Sequence, residues 1–162
     1  MALSLTVGLS GGLDSTVLLH LMHRLQQKLP HLFSLSAIHV DHGLQPAAQT
    51  FVTQCEALCH GLSVPLTIAR VRIPESDIQT LGVEAAARRH RYQAMSGRLS
   101  HHEVLVLAHH RDDLLETALL QWIRGAGLEG LSAMTRLSRM QTDGKTIVRW
   151  RPLLDQSRQS LM

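Results

Sequence analysis

Short, almost wholly apolar runs recur along the chain at residues 3–9, 34–40, 66–71, 104–108 and 146–150. They lack the strict alternation of a half-exposed strand, and that pattern predicts parallel strands covered on both faces. Between them the apolar spacing becomes helical, over residues 13–29, 46–60, 83–98 and 111–124. Pro46 suits a first helical turn, Pro30 closes the first helix, and Gly61 and Gly97 fall where helices should stop. In the third helix Val83, Ala86, Ala87, His90 and Ala94 form the expected inner stripe. Strands and helices alternating at this spacing predict an α/β fold: a doubly wound, five-stranded parallel sheet with right-handed crossovers. Ligands of such sheets bind beyond the carboxyl ends of the strands, so polar chemistry should collect there.

It does. Ser-Gly-Gly-Leu-Asp-Ser (residues 10–15) follows the first strand, and His39-Val40-Asp41-His42-Gly43-Leu44 closes the second. After the fourth comes His109-His110-Arg111-Asp112-Asp113-Leu114-Leu115-Glu116-Thr117. Strand, glycine turn and helix start is the geometry that aims free backbone N–H groups and a positive helix end at an anion, so phosphate is the expected ligand of the first cluster. No Gly-Lys-Ser/Thr follows the glycines and there is no GxGxxG, which excludes a Walker A loop and a dinucleotide fingerprint. Gly11 and Gly12 permit close approach to a ligand, and Ser10 and Ser15 add hydroxyls. Asp14 beside polyphosphate makes sense with a divalent cation, Mg²⁺, between them. The plainer reading of Asp14 is a helix cap.

On a helix, Asp112 and Asp113 fall one turn before Glu116, so three carboxylates gather near its start. Acids there suit the helix dipole, yet their repulsion is barely offset by about 0.3–1 kcal/mol each. A cation, either Mg²⁺ or a substrate amine, removes that conflict. His39, Asp41 and His42 with His109 and Asp112 also resemble part of a dinuclear metal hydrolase site. Ala37 stands where that pattern needs another histidine, and the parallel sheet argues against it. Either nucleotide-side contacts or a supporting place behind the site, with both ring nitrogens satisfied, suits these histidines better. Glu84, Arg88 and Arg91 occupy polar positions of the third helix, either as a solvated face or as RNA-phosphate contacts. Arg124 and Gly125, with the glycines after them, are either a lid beside the nucleotide or a simple helix stop.

Composition narrows the setting more than the chemistry. A chain of 162 residues predicts one domain, and 44% hydrophobic with 18% charged residues excludes wholesale disorder. A net charge of +3 permits a nucleic-acid partner without demanding one. Cys55 and Cys59 lie four apart on one face of a helical pattern, which suits burial, whereas metal and redox pairs use a two-residue gap. No signal peptide or membrane span is visible, so a reducing, cytoplasmic setting is expected. Residues 153–162 read as a helix only begun, which predicts a domain cut short at its C-terminus.

With these residues in hand, the chain resembles the PP-loop ATP pyrophosphatases, whose loop has the form SGGxDS. Within them, HVDHGL, the ExxARxxRY pattern over residues 84–92, AHHRDDLLET and RGAGLEGLSAM together are similar to the tRNA(Ile)-lysidine synthases. The resemblance spans nearly the whole chain and implies an adenine nucleotide alpha hydrolase-like, Rossmann-like fold. It implies cleavage of ATP between its α and β phosphates, attack by the C2 oxygen of the anticodon cytidine of a CAU tRNA(Ile), and displacement of AMP by free L-lysine. Carried over by position, Ser10, Gly11, Gly12, Leu13, Asp14 and Ser15 would bind the pyrophosphate portion. His39, His42, His109, Arg124 and Gly125 would line the nucleotide, and Asp14 with Asp112 or Asp113 would hold Mg²⁺. Asp14, Asp113 and Glu116 would be catalytic, the last two toward the lysine ammonium. Sulfur-transferring relatives use CxxC pairs, absent here, and amide-forming relatives share the loop but not the later motifs. An ATP-binding module of the same fold that catalyses nothing is the other reading.

Overall fold

The computed structural model describes residues 2–41, 48–100, 103–123, 125, 134–142 and 145–161. Among the described residues six strands form one sheet in the order β3-β2-β1-β4-β6-β5. They are β1 (Leu3–Gly8), β2 (Phe33–Asp41), β3 (Leu66–Arg70), β4 (Glu103–Val106), β5 (Leu137–Thr142) and β6 (Lys145–Trp150). Every neighbouring pair runs parallel except β5 and β6, which are antiparallel. The helices are α1 (Leu13–Lys28), α2 (Ala48–Leu62), α3 (Glu75–Leu81), α4 (Val83–Arg98) and α5 (Arg111–Ile123).

The apolar runs are two-faced, as their composition requires. On one side Leu5, Val7, Leu35, Ala37 and Val106 pack with Leu18, Leu19 and Met22 of α1 and with Cys55 and Cys59 of α2. On the other, Ile38, Val40, Leu105, Leu107 and Ile147 meet Met95 of α4. Both cysteines are free and buried, and burial pushes the Cys55 thiol up to about 11, with Cys59 and Glu56 adding to the shift. They are core residues, inert in the native state.

The sheet has six strands rather than five, because β5 is absent from the hydrophobic pattern. Leu137-Ser138-Arg139-Met140-Gln141-Thr142 is polar and alternately exposed, and as an edge strand it needs only one partner. The short helix α3 buries no residue, so nothing apolar announces it; it packs against α4, where Asp77 and His90 are 2.6 Å apart. Gly61 and Gly97 do not stop their helices. Each lies inside its last turn, on a side where an added Cβ would meet nothing within 4 Å. The chain leaves α2 at Ser63, a non-glycine residue with φ of 55°. In α4 the buried positions are Ala86, Met95 and Ser96, whereas Val83 is 56% exposed and lies outside the core stripe. The C-terminal segment forms only a 3₁₀ turn, Arg158–Leu161. Helix α5 buries none of its residues, and Leu115, Leu119, Trp122 and Ile123 are exposed along it.

The loop after β1 is held by one close approach. Gly11 has φ of +86°, and a Cβ there would lie 2.8 Å from Cδ1 and 3.2 Å from Cβ of Phe51 on α2. Both the backbone and the space reject a side chain. Gly11→Ala should therefore lower stability by about 2–5 kcal/mol, combining the left-handed penalty with overpacking. Urea unfolding measures this, and a loss below about 0.5 kcal/mol, as at an ordinary surface position, would contradict the packing described.

Candidate active site

Strands β1 and β4 are neighbours, yet β1 leads on to β2 on one side of the pair and β4 leads on to β5 and β6 on the other. The loops beyond their carboxyl ends therefore part, and a crevice opens between them. It is a cavity of about 720 Å³, and its lining brings together Ser10, Asp14, His39, Glu84, His109 and Asp113. Arg91 and Tyr92 of α4 complete one wall and Phe51 of α2 another.

The loop itself is cross-braced. Ser15, buried at the start of α1, donates its hydroxyl to the Gly12 carbonyl at 3.0 Å and accepts the Ser10 backbone N–H at 3.1 Å. With the Ser15 proton spent, Ser10 is the donor in the 3.0 Å contact between the two hydroxyls, and Gly12 N–H donates to Ser10 Oγ at 3.3 Å. The serines thus shape the loop. Gly12 is the N-cap of α1, and among the described residues no side chain caps the helix. Asp14 lies inside the first turn, so the cap reading of it falls. An uncapped helix start turned toward a polar cavity is a ready anion site. Gly12 and Leu13 are exposed beside the cavity rather than in its lining.

The three carboxylates of α5 do not converge. His110 and Asp113 cap the helix reciprocally: His110 N–H donates to Asp113 Oδ2 at 2.8 Å, and Asp113 N–H points at His110 Nδ1 at 3.4 Å. Asp112 turns away and accepts the backbone N–H of Arg158 at 3.1 Å. Glu116 is exposed and outside the cavity lining. The repulsion expected from the sequence is thereby relieved locally. What remains at the cavity is Asp14 and Asp113, bridged by the buried His110, whose Nε2 lies 3.6 Å from Asp14 Oδ2. Asp14 Oδ1 is buried with no hydrogen-bond partner among the described residues, and Arg158 Nε lies 3.9 Å from it, too far for a hydrogen bond. An orphaned carboxylate oxygen beside a second carboxylate fits a hard divalent cation, which takes one or two protein carboxylates and completes its shell with phosphate and water. Among the described residues no three His, Cys, Asp or Glu side chains gather as a metal-binding group; His42, a member of the dinuclear hydrolase set, lies outside them.

His39 and His109 both line the cavity. His42 and Arg124, expected beside them, lie outside the described residues. Gly125 is exposed, with φ of +76°, in the turn after α5. Glu84 and Arg91 face the cavity, while Arg88 is exposed and stacks 6.0 Å from the centre of the Tyr92 ring, with Arg149 at 5.5 Å. His110, Tyr92 and Arg151 were not among the residues expected at the site, although His110 and Tyr92 stand inside the AHHRDDLLET and ExxARxxRY motifs and Arg151 directly follows the last apolar run. Arg151 is 4% exposed and donates from Nε to His109 Nδ1 at 3.2 Å.

Burial first, and then the Arg151 cation, hold His109 down to about 4, with Arg88 and His110 acting in the same sense and Asp113 against it. In the unfolded chain an imidazole takes its proton near 6.5. Between these values the unfolded state binds more protons, so stability falls on acidification from pH 6.5 to about 4 and levels off below. The loss is on the order of 3 kcal/mol. Urea unfolding at stepped pH should therefore show the stability advantage over His109→Gln shrinking through that window; a constant difference would contradict the shift.

Residues 2–162 match the PP-loop domain family. The chain is 48% identical over 134 residues to a tRNA(Ile)-lysidine synthase of Haemophilus influenzae strain PittEE, covering 82% of this chain and 30% of that protein. It is 47% identical over 155 residues to the enzyme of the same name from Chromobacterium violaceum, covering 96% and 34%. A further relative of that name, from Pseudomonas fluorescens, is 45% identical over 157 residues, covering 96% and 33%. The chain thus spans about a third of the length of the curated relatives it matches. Among solved structures, the U34-tRNA thiolase NcsA from Methanococcus maripaludis superposes with a TM-score of 0.77 over 98% of this chain and 55% of that one, at 18% identity. That likeness is one of fold. With its glycine loop between β1 and an uncapped helix, at the switch point of a mostly parallel sheet, the chain belongs to the PP-loop domain family.

Proposed function

We propose that this chain is the adenylating domain of a tRNA(Ile)-lysidine synthase, acting on ATP and a CAU tRNA(Ile) in the cytoplasm, with free L-lysine as the second substrate. The observation that carries the reading is the convergence of an uncapped helix start, a self-braced glycine loop and an orphaned carboxylate oxygen on one cavity. Relatives at 45–48% identity bearing that name support the substrate assignment. No helix among the described residues is long and apolar enough to cross a membrane.

The chain's own groups divide the work by charge. The backbone N–H groups opening α1 receive the β and γ phosphates, the portion that leaves as pyrophosphate, and they do so without a lysine. Asp14 and Asp113 would hold Mg²⁺, which when bound neutralises the polyphosphate charge and leaves Asp14 free of repulsion. Held neutral, His109 donates a hydrogen bond to the ligand without adding charge. Glu84, Arg88 and Arg91 mark the cavity rim as the approach for the RNA, whose cytidine C2 oxygen attacks the α-phosphorus and releases pyrophosphate. The lysine amine then displaces AMP from C2. Glu116, outside the cavity, is assigned to that second step rather than to the nucleotide.

Two variants separate these roles. Asp14→Asn should weaken Mg²⁺-dependent ATP binding at least about tenfold, the loss typical of one charge-assisted contact, with an unchanged melting temperature. Glu116→Gln should leave ATP affinity within about twofold, since one exposed side chain outside the cavity carries little of that binding energy. Calorimetric titration with ATP, with and without Mg²⁺, reads both. Undiminished affinity in Asp14→Asn would refute the cation assignment, and turnover to ADP and phosphate in place of AMP and pyrophosphate would refute the reaction class.

A further inference from the structure

Among the described residues two histidines, His39 and His109, line the cavity, and each already has one ring nitrogen engaged. At His39, Nδ1 lies 2.8 Å from the carbonyl oxygen of Leu9. A carbonyl only accepts, so Nδ1 carries the proton and, in the neutral ring, Nε2 remains an acceptor. The Cys55 sulfur, 3.5 Å from the same Nδ1, can donate or accept and leaves the assignment to the Leu9 carbonyl. At His109 the arrangement is reversed. Nδ1 faces Arg151 Nε at 3.2 Å, and a guanidinium only donates. Nδ1 is therefore the lone-pair nitrogen, and the ring proton is on Nε2.

Arg151 is held in place for this contact. It is buried, and its Nη1 donates to the Thr135 carbonyl at 2.8 Å and to Ser138 Oγ at 3.2 Å. Its backbone N–H donates to the Arg136 carbonyl at 2.8 Å. The β5–β6 hairpin, which adds nothing to the cavity lining among the described residues, thus aims Nε at the imidazole.

We propose that Arg151 is a positioning residue that locks His109 as an Nε2–H hydrogen-bond donor to the ligand, opposite in sense to the acceptor presented by His39. The cavity then offers one imidazole donor, suited to an oxygen lone pair, and one imidazole acceptor, suited to an N–H or O–H. With its available nitrogen already protonated, His109 takes no proton there and is a donor, not a general base. The nature of the ligand rests on the nucleotide reading above; the tautomer is a property of the protein alone. The charged and titratable groups facing His109 are Arg151, Arg88, His110 and Asp113.

Long-range ¹⁵N–¹H correlation spectra of the uniformly labelled, ligand-free chain at neutral pH test this directly, with His109 identified by its disappearance in His109→Gln. The expected pattern is protonated Nε2 at His109, protonated Nδ1 at His39, and a ¹⁵N–¹⁵N coupling across the bond from Arg151 Nε to His109 Nδ1. Arg151→Met should lose the single tautomer and give a mixture. Arg151→Gln, which keeps an N–H donor without the charge, should retain it, and Ser138→Ala should leave it untouched. A protonated Nδ1 at His109, no coupling, or an unaltered pattern in Arg151→Met would overturn the proposal. If Arg151→Met does not fold, the tautomer and coupling of the parent protein decide alone. Addition of ATP with Mg²⁺ to the same sample separates the two claims. Unmoved backbone amides over Ser10, Asp14 and Ser15 would defeat the nucleotide reading and leave the tautomer assignment standing.

Discussion

Between Ser4 and Val7 the first strand pairs with residues Glu103 to Val106 of the fourth, in parallel and in register. Much of the molecule is a consequence of that pairing. Two central strands whose neighbours lie on opposite sides cannot pass their loops to the same place, so their carboxyl ends part and leave a crevice. The strands stay in register because Val7, Leu105 and Val106 are fully buried, and a slip of one residue would exchange the two faces of the sheet. One loop brings an uncapped helix and Asp14 to the crevice, and the other brings His109 and Asp113. Distant parts of the chain become one site through strand pairing, before any of the polar contacts form.

The polar contacts then refine what the sheet brings together. Ser10 and Ser15 spend their protons on the loop itself, and Asp113 spends one oxygen on capping α5. Asp14 Oδ1 remains buried and without a hydrogen-bond partner among the described residues. A protein retains such an atom against the desolvation cost where a ligand completes it. The contrast between Asp113, committed to its own helix, and Asp14, left open, marks Asp14 as the residue with most to gain from a bound cation.

Much of this was legible in the sequence. All five parallel strands announce themselves as short apolar runs, the four inner ones and the edge strand β3 alike, and the three clusters at strand ends fall where a doubly wound sheet places its ligands. The edge strand β5 was not legible, since a strand with one partner and a wet face needs no apolar signature, and α3 was hidden for the same reason. The gathering of Asp112, Asp113 and Glu116 was misjudged for a different cause. Helical spacing says which residues share a face but not which backbone N–H groups intercept them. Asp112 is intercepted by Arg158 and Asp113 by His110, both outside that pattern. Arg151 was illegible in its role because its contact with His109 crosses from the end of β6 to the loop after β4.

The central claim is that the free N–H groups opening α1 receive the phosphates of a nucleotide. Hydrogen–deuterium exchange of the chain with and without ATP and Mg²⁺ measures that most directly, because no side-chain cap among the described residues protects the amides of Leu13, Asp14 and Ser15 beforehand. The account predicts marked slowing over Gly11 to Ser15 and at the start of α5, with the outer edge of the sheet at β5 unchanged. Protection that appears elsewhere while Gly11 to Ser15 exchange as freely as before would contradict it.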